Sequence, residues 1–359
     1  MQRHRIAVIP GDGIGKEVIP IGVEVLQAAG RLFDAYALDL EWFDWGCEYY
    51  LEHGRMMPAG GLDELRRFDA IYFGACGFPT VPDHISLRGL RLAICQGFDQ
   101  YVCLRPARLL RGVPSPLAGK SPGDVDVVVV RENTEGLYAG VGGRTHRGAP
   151  HETAIQAQVF TRHGVERIIR YAFDCARGRP RRRLTSATKS NACEYSYVLW
   201  DEIFARIAAN YPDVQTDVQL VDALAARCVT RPESLDVIVA SNLLGDILSD
   251  LTGALVGSLG LAASANINPT RQYPSMFEPV HGSAPDIAGK GIANPLAAIG
   301  SGAMMIEFLG HQRAAAALVE AIEDTTADGS ACTPDLGGNA TTGEAGQAVL
   351  RALEQRARA

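Results

Sequence analysis

The stretch at 124–131, DVDVVVVR, constrains this chain more than any other. Four consecutive valines between charged ends cannot be one half of an alternating surface strand. They predict a strand covered on both faces, which is the habit of parallel sheets. Shorter runs of the same kind lie at 5–10 (RIAVIP), 69–74 (DAIYFG), 184–187 (LTSA) and 235–240 (LDVIVA). Helix-period patterns lie between them, notably at 163–177, 194–209 and 243–256. The first run empties into the glycine turn GDGIG, and a helical pattern follows from Lys16. Strands alternating with helices predict an α/β fold with a largely parallel sheet. A turn-rich stretch at 327–343 precedes a terminal helix, and no repeat, low-complexity tract or long linker interrupts the chain. With 359 residues, two domains or one large one are expected.

Charge and cysteines narrow the function. The formal net charge of −7 argues against a whole-surface nucleic-acid binder, which needs a positive field, but leaves room for a local cationic pocket. No apolar window approaches the roughly 18 residues of a membrane span, and the N-terminus enters a strand pattern at once, so neither a span nor a signal peptide is expected. The eight cysteines form no CxxC pair and no zinc-type cluster. They read as reduced thiols of a cytoplasmic protein.

Polar residues gather after the strands: Arg131, Lys189 and Asn242 each follow one. Open α/β sheets bind ligands at that edge. In NLLGDILSD, Asp246 and Asp250 stand four apart and so share one helix face. Two like charges there are unfavourable unless a cation lies between them, and hard ions such as Mg2+ or Mn2+ take such oxygens. A solvated helix face is the plain alternative; the apolar neighbours Leu243, Leu244, Ile247, Leu248 and Leu251 weigh against it. Asp222, in LVDAL, is a further candidate ligand. Arg105 (LRP) and Arg131 offer planar forks for carboxylates. Either alone is usually a surface salt bridge; two at strand edges suggest a pocket for a di- or tricarboxylate. Tyr138 and Lys189 are candidate proton carriers, since an amine crowded by cations loses its proton more readily. Each taken singly is more often an ordinary residue.

The segment 278–295, EPVHGSAPDIAGKGIANP, is rich in glycine, proline and small residues, and reads as a loop that wraps a flat ligand with backbone groups. Asp286 would bond ribose hydroxyls and repel a 2′-phosphate, which favours NAD over NADP. GDGIG lacks the spacing of the GxGxxG fingerprint. It serves equally as a structural turn.

With these residues assembled, the sequence resembles the β-decarboxylating dehydrogenases, the family of isopropylmalate, isocitrate, homoisocitrate, tartrate and D-malate dehydrogenases. NLLGDILSD, RENTEGLY and EPVHGSAPDIAG occur in the family's order, and the likeness runs from IPGDGIGKEV to GNATT. VPDHISLRG, FDQYVCLRP, VPSPLAGK and SATKSN point to the tartrate/D-malate branch. The resemblance implies an isocitrate/isopropylmalate dehydrogenase-like fold, not a Rossmann fold: two α/β domains sharing a large mixed sheet around a cleft. Residues 1–108 and 260–359 would form the large cofactor-binding domain, and 109–259 a small domain with the dimer interface. It further implies NAD-dependent oxidative decarboxylation of a malate-type 2-hydroxy acid with Mg2+ or Mn2+, and K+ as a further cation. The active sites would be shared in a homodimer, or in a tetramer built from it.

The resemblance also implies the residue roles. Lys189 would accept the hydroxyl proton, directly or through water, as hydride passes to NAD, and Tyr138 would protonate the enol carbon after the β-carboxylate leaves. Asp222, Asp246 and Asp250 would bind the metal, with Lys189 and Asp222 from one subunit and Asp246, Asp250, Tyr138 and the arginines from the other. Arg105, Arg131, Arg91, Arg88, Ser86 and Asn191 would bind substrate. Glu278, His281, Gly282, Ser283, Ala284, Asp286, Ile287 and Asn294 would hold the cofactor.

One departure matters. Ten residues before the arginine of LRP the family places a carboxylate-binding arginine, and here that position is Cys95. Arg88 and Arg91 share its helical face at i, i+3, i+7 spacing. They stand where the branch has Trp and Leu, positions that read the substituent at the substrate's C3. An arginine at 91 would leave a buried charge unpaired against an isopropyl group, which disfavours isopropylmalate. Two readings stay open: a substrate with an anionic C3 substituent, such as carboxyalkyl or phosphonoalkyl, or plain D-malate or tartrate with both arginines turned to solvent. A reading of another class is a non-catalytic regulatory or binding paralogue.

Overall fold

A computed structural model describes residues 1–358. Its strands are β1 (Gln2–Gly11), β2 (Tyr36–Trp42), β3 (Ala70–Ala75), β4 (Val102–Arg108), β5 (Asp126–Glu132), β6 (Gly142–Thr145), β7 (Thr153–Gln156), β8 (Arg183–Thr188), β9 (Gln215–Leu220), β10 (Val237–Ala240), β11 (Ala263–Ile267) and β12 (Ser275–Pro279). The chain divides into two compact units. One comprises residues 1–100, 105–125 and 253 onward; the other comprises 101–104 and 126–252.

In the first unit the strand order is β2-β1-β3-β12-β11. All neighbours are parallel except β11 and β12, so the sheet is mixed. Helix Gly15–Leu32 buries Val18, Ile19, Val23 and Leu26 along one stripe. Each such side chain contributes about 1.5–3 kcal/mol by leaving water. Ile9, Phe43, Trp45, Ile71, Phe73, Phe98 and Met276 pack into a common core. Parallel pairing of β1, β3 and β12 sends their C-terminal ends to one edge. There the Asp12 carboxylate accepts N–H from Cys47 at 2.8 Å and from Gly77 at 2.9 Å. Ile14 N donates to Ser283 O at 2.9 Å. Gly13 is left-handed (φ +54), and a Cβ on it would lie 2.0 Å from Ser283 O, so only glycine permits this approach.

The sequence expectation put 109–125 and 253–259 in the second domain. In the structure Leu109, Val113 and Val125 pack with Val256 and Leu261, a contact of the first unit that no local pattern announces.

The second unit orders its strands β5-β10-β8-β9, all parallel. The four-valine run is the inner part of β5, with Val127–Val130 at most 6% exposed. Helices Arg162–Arg177, Glu194–Ala208, Val221–Thr230 and Asn242–Leu255 accompany it. Arg131, Lys189, Asp222 and Asn242 all lie at or just past the C-terminal ends of β5, β8, β9 and β10. An antiparallel hairpin, β6–β7, stands apart with every residue exposed.

Candidate active site

In the second unit Arg131 is 1% exposed at the end of β5. Its Nη1 reaches Asp246 Oδ1 at 2.5 Å, and Nε and Nη2 both donate to Asn242 Oδ1, at 3.2 and 2.7 Å. Tyr138 donates its hydroxyl to the other Asp246 oxygen at 2.9 Å, with the guanidinium 5.3 Å from the centre of its ring. Gly245 makes this cluster possible, since a Cβ there would lie 2.7 Å from both Cβ and Cγ of Arg131. Asp250 follows Asp246 by one helical turn and is exposed. Sequence reasoning noticed Asn242 only as a polar residue after a strand; its role as the acceptor that orients Arg131 depends on a contact 111 residues distant.

Glu132 is a residue the sequence reading passed over. It is 3% exposed and accepts from Thr134 N, Thr134 Oγ1 and Glu135 N, each at 2.8 Å. Burial pushes its carboxyl up, against the pull of those donors. It shapes the turn that carries Tyr138, and the ENTE run was the available signal.

Lys189 and Asp222 form a separate pair, Nζ to Oδ1 at 2.9 Å. The Lys189 hydrogen bond and the N–H groups opening helix Val221–Thr230 hold the Asp222 carboxyl below the usual carboxylate range. Asn191, two residues after Lys189, is exposed. Among the described residues, no three His, Cys, Asp or Glu side chains of one chain converge as a metal-binding set.

In the first unit Arg105, in β4, is 8% exposed, and Ser86 is 2% exposed with its hydroxyl donating to Asp83 O at 3.1 Å. Two expectations about the helix that carries Arg88, Arg91 and Cys95 are corrected. The three do not share one face: a π-turn at Leu87–Arg91 widens the spacing, so Arg91 and Cys95 are buried while Arg88 is exposed. Nor is Arg91 left with an unpaired charge. Its Nε and Nη2 each lie 2.7 Å from Glu278 Oε1.

The expected cofactor residues follow. Glu278 lies in β12, one residue before its end, rather than starting a loop, and its Oε1 also accepts from Asn266 Nδ2 at 2.7 Å. His281 has Nδ1 at 3.0 Å from Gly282 O, its Nε2 is buried without a partner, and burial lowers its proton affinity. Ser283 is 8% exposed, Ala284 is left-handed (φ +40), Gly282 and Asp286 are exposed, and Ile287 is half-buried. Asn294 donates to Asp335 Oδ2 at 3.0 Å and accepts from Leu296 N at 3.0 Å. Residues 76–79 and 81–83, with 282–285, line a cavity of about 590 Å3, room for part of a dinucleotide.

The chain is similar to known proteins along almost its whole length. Residues 5–349 match the family model for isocitrate/isopropylmalate dehydrogenase. A probable tartrate dehydrogenase/decarboxylase of Agrobacterium vitis is 56% identical over 353 residues, 98% of each chain. The D-malate dehydrogenase [decarboxylating] of Escherichia coli (strain K12) is 57% identical over 360 residues, 98% of this chain and 99% of that one. The crystal structure of isocitrate dehydrogenase from Methylococcus capsulatus superposes with a TM-score of 0.87 at 38% identity, over 98% of this chain and all of that chain.

Proposed function

The chain belongs to the isocitrate/isopropylmalate dehydrogenase family and has its fold, a large mixed sheet with helices, and from that premise we propose that it oxidatively decarboxylates D-malate or tartrate with NAD and a divalent metal. The observation that carries this reading is the cluster in which one Asp246 carboxylate joins buried Arg131 to Tyr138. An anion-binding fork, a hard oxygen donor and a proton carrier stand within one hydrogen-bonded unit. The names of the relatives from Agrobacterium vitis and Escherichia coli support the malate-type substrate.

The donors fit Mg2+ or Mn2+: Asp246 and Asp250 are carboxylates one turn apart on helix Asn242–Leu255. A metal held there would lower the pKa of a substrate hydroxyl and stabilise the charge left when CO2 departs, while NAD would take the hydride. In this reading Arg131 and Arg105 grip substrate carboxylates, Lys189 takes the hydroxyl proton with Asp222 fixing its amine, and Tyr138 returns a proton to carbon. Asn242 keeps the Arg131 fork in plane. Asp222 joins Asp246 and Asp250 as a ligand only across a homodimer. Ile155, 64% exposed on hairpin β6–β7, and Tyr195, 89% exposed, would be surface for that partner. K+ and a tetramer would be additions to this scheme.

NADH formation from D-malate or tartrate with Mn2+, abolished by EDTA, tests the proposal. Folded protein that binds a malate but forms no NADH with any malate would instead indicate a non-catalytic paralogue.

A second reading concerns the substituent. Arg88 is exposed on the π-turn and suits an anionic C3 group. Glu278 neutralises Arg91, so only Arg88 still argues against an apolar, isopropyl-like substituent. A panel of 3-substituted malates compared by kcat/KM between the native protein and R88L separates these substrates.

A further inference from the structure

Arg91 is 9% exposed, and a guanidinium at that depth must be paired. It shares a hydrogen-bonded ring with Glu278 and Asn266. Nε and Nη2 lie 2.7 Å from Glu278 Oε1; Asn266 Nδ2 donates to the same oxygen at 2.7 Å; Asn266 Oδ1 accepts from Arg91 Nη2 at 3.3 Å. Asn266 is fully buried and Glu278 is 4% exposed.

The three positions matter more than the energy. Arg91 closes the π-turn Leu87–Arg91. Asn266 lies in β11, whose residue Ser264 faces Glu278 across the antiparallel pair. Glu278 is the last residue but one of β12, and the loop 280–294 starts immediately beyond. Cys76 feels both charges of the pair and hydrogen-bonds with Ser86; burial pushes its thiol up to about 12. Cys76 also lines the 590 Å3 cavity with residues 282–285. Cys76 thus links the ring of Arg91, Glu278 and Asn266 to that cavity, and Glu278 stands just before the segment that forms one of its walls.

We infer that Arg91 is a positioning residue for the dinucleotide: it fixes Glu278 and the start of loop 280–294, and does not read the substrate. The inference rests on the NAD dependence proposed above. Without Arg91, the buried Glu278 carboxylate keeps one amide donor and no cation, and is drawn toward water. The strand end moves with it, and the loop that follows loses its register. A lysine would keep the charge but not the two-pronged grip.

The test is NADH binding to the purified full-length protein, followed by fluorescence titration, beside KM for D-malate at saturating NAD. R91M should weaken NADH binding about tenfold or more, the scale of one lost charged hydrogen bond, while R91K stays within about threefold of the native protein. KM for D-malate should change less than about threefold in both, because no substrate contact is lost. N266A, which keeps both charges and removes one hydrogen bond from Glu278, should weaken NADH binding in the same direction and serves if R91M does not fold. Native-like NADH affinity in R91M, or in N266A where R91M is insoluble, overturns the inference. So does a malate KM raised about tenfold in R91M with NADH binding intact. A native protein that binds no NADH at all would overturn the proposed function instead.

Discussion

Tyr138 and Asp246, 108 residues apart in sequence, meet in a 2.9 Å hydrogen bond in which the phenol donates to the carboxylate oxygen not taken by Arg131. The contact ties a candidate proton carrier to a candidate metal ligand. A change at either should therefore be felt at both.

Tyr138→Phe removes the hydroxyl and leaves the ring over the Arg131 guanidinium. NADH formation from D-malate should fall about 10²–10⁴-fold, the range for a lost acid–base group. Thermal stability should change by no more than about 1 kcal/mol, since one hydrogen bond at a half-buried position is lost. A turnover rate within a factor of a few of the native enzyme would remove Tyr138 from the chemistry.

Asp246→Asn keeps the shape of the side chain and removes its charge. Native protein should be stabilised against heat by Mn2+, by about 2.7 kcal/mol at a hundred times Kd, and D246N should not respond. Calorimetric melts with and without the metal measure this. An undiminished Mn2+ shift in D246N would place the metal elsewhere.

Gly245→Ala puts a methyl group 2.7 Å from Arg131 Cβ and Cγ, inside contact distance. The strain should cost about 1–3 kcal/mol in thermal or urea unfolding. KM for malate should rise more than kcat falls, because the displaced side chain is the carboxylate fork.

His4 and His311 lie Nε2 to Nε2 at 2.8 Å, far from any residue of the proposed chemistry in sequence. Burial lowers the proton affinity of both; His311 lowers His4 further, while Asp69, 3.8 Å from His4 Nδ1, opposes. The Tyr36 ring packs on His311. An imidazole depressed in the folded state is more protonated in the unfolded chain. Stability is therefore full above the unfolded value of about 6.5 and is lost as pH falls below it. Melting temperature should drop between pH 7.5 and 5.5, and H311Q should shrink the drop. An identical pH profile in H311Q would clear this pair.

Ile155→Asp on the exposed hairpin β6–β7 should convert the proposed dimer to monomer in light scattering after size exclusion, and abolish NADH formation through loss of the partner's residues. A monomeric native protein that is fully active would defeat the shared-site reading.

Much of this was legible because the signals are local. The valines of β5 and the alternation of strand and helix patterns report burial of nearby residues on one another. The polar residues at the strand ends were legible for the same reason: Arg131, Lys189 and Asn242 follow apolar runs, and a parallel sheet sends such positions to one edge. Other elements carried weaker marks. β2, YALDLEW, is half-exposed and partly charged, and β11 and β12 are short strands of small or mixed residues. The π-turn was invisible, because α-helical spacing was the only ruler available for residues 87–91.

The amino-acid sequence by itself determined the family, the α/β class and the identity of the polar residues at the strand ends, since motif and periodicity are properties of neighbouring residues. Only the tertiary structure decided what each charge faces. Arg91 and Glu278 stand 187 positions apart, and nothing near either one announces the other. Burial removes water from both, and a charge without water takes whichever opposite charge the fold brings within reach. That pairing, not the residue type, turns Arg91 from a candidate reader of substrate into a support for the loop beside it.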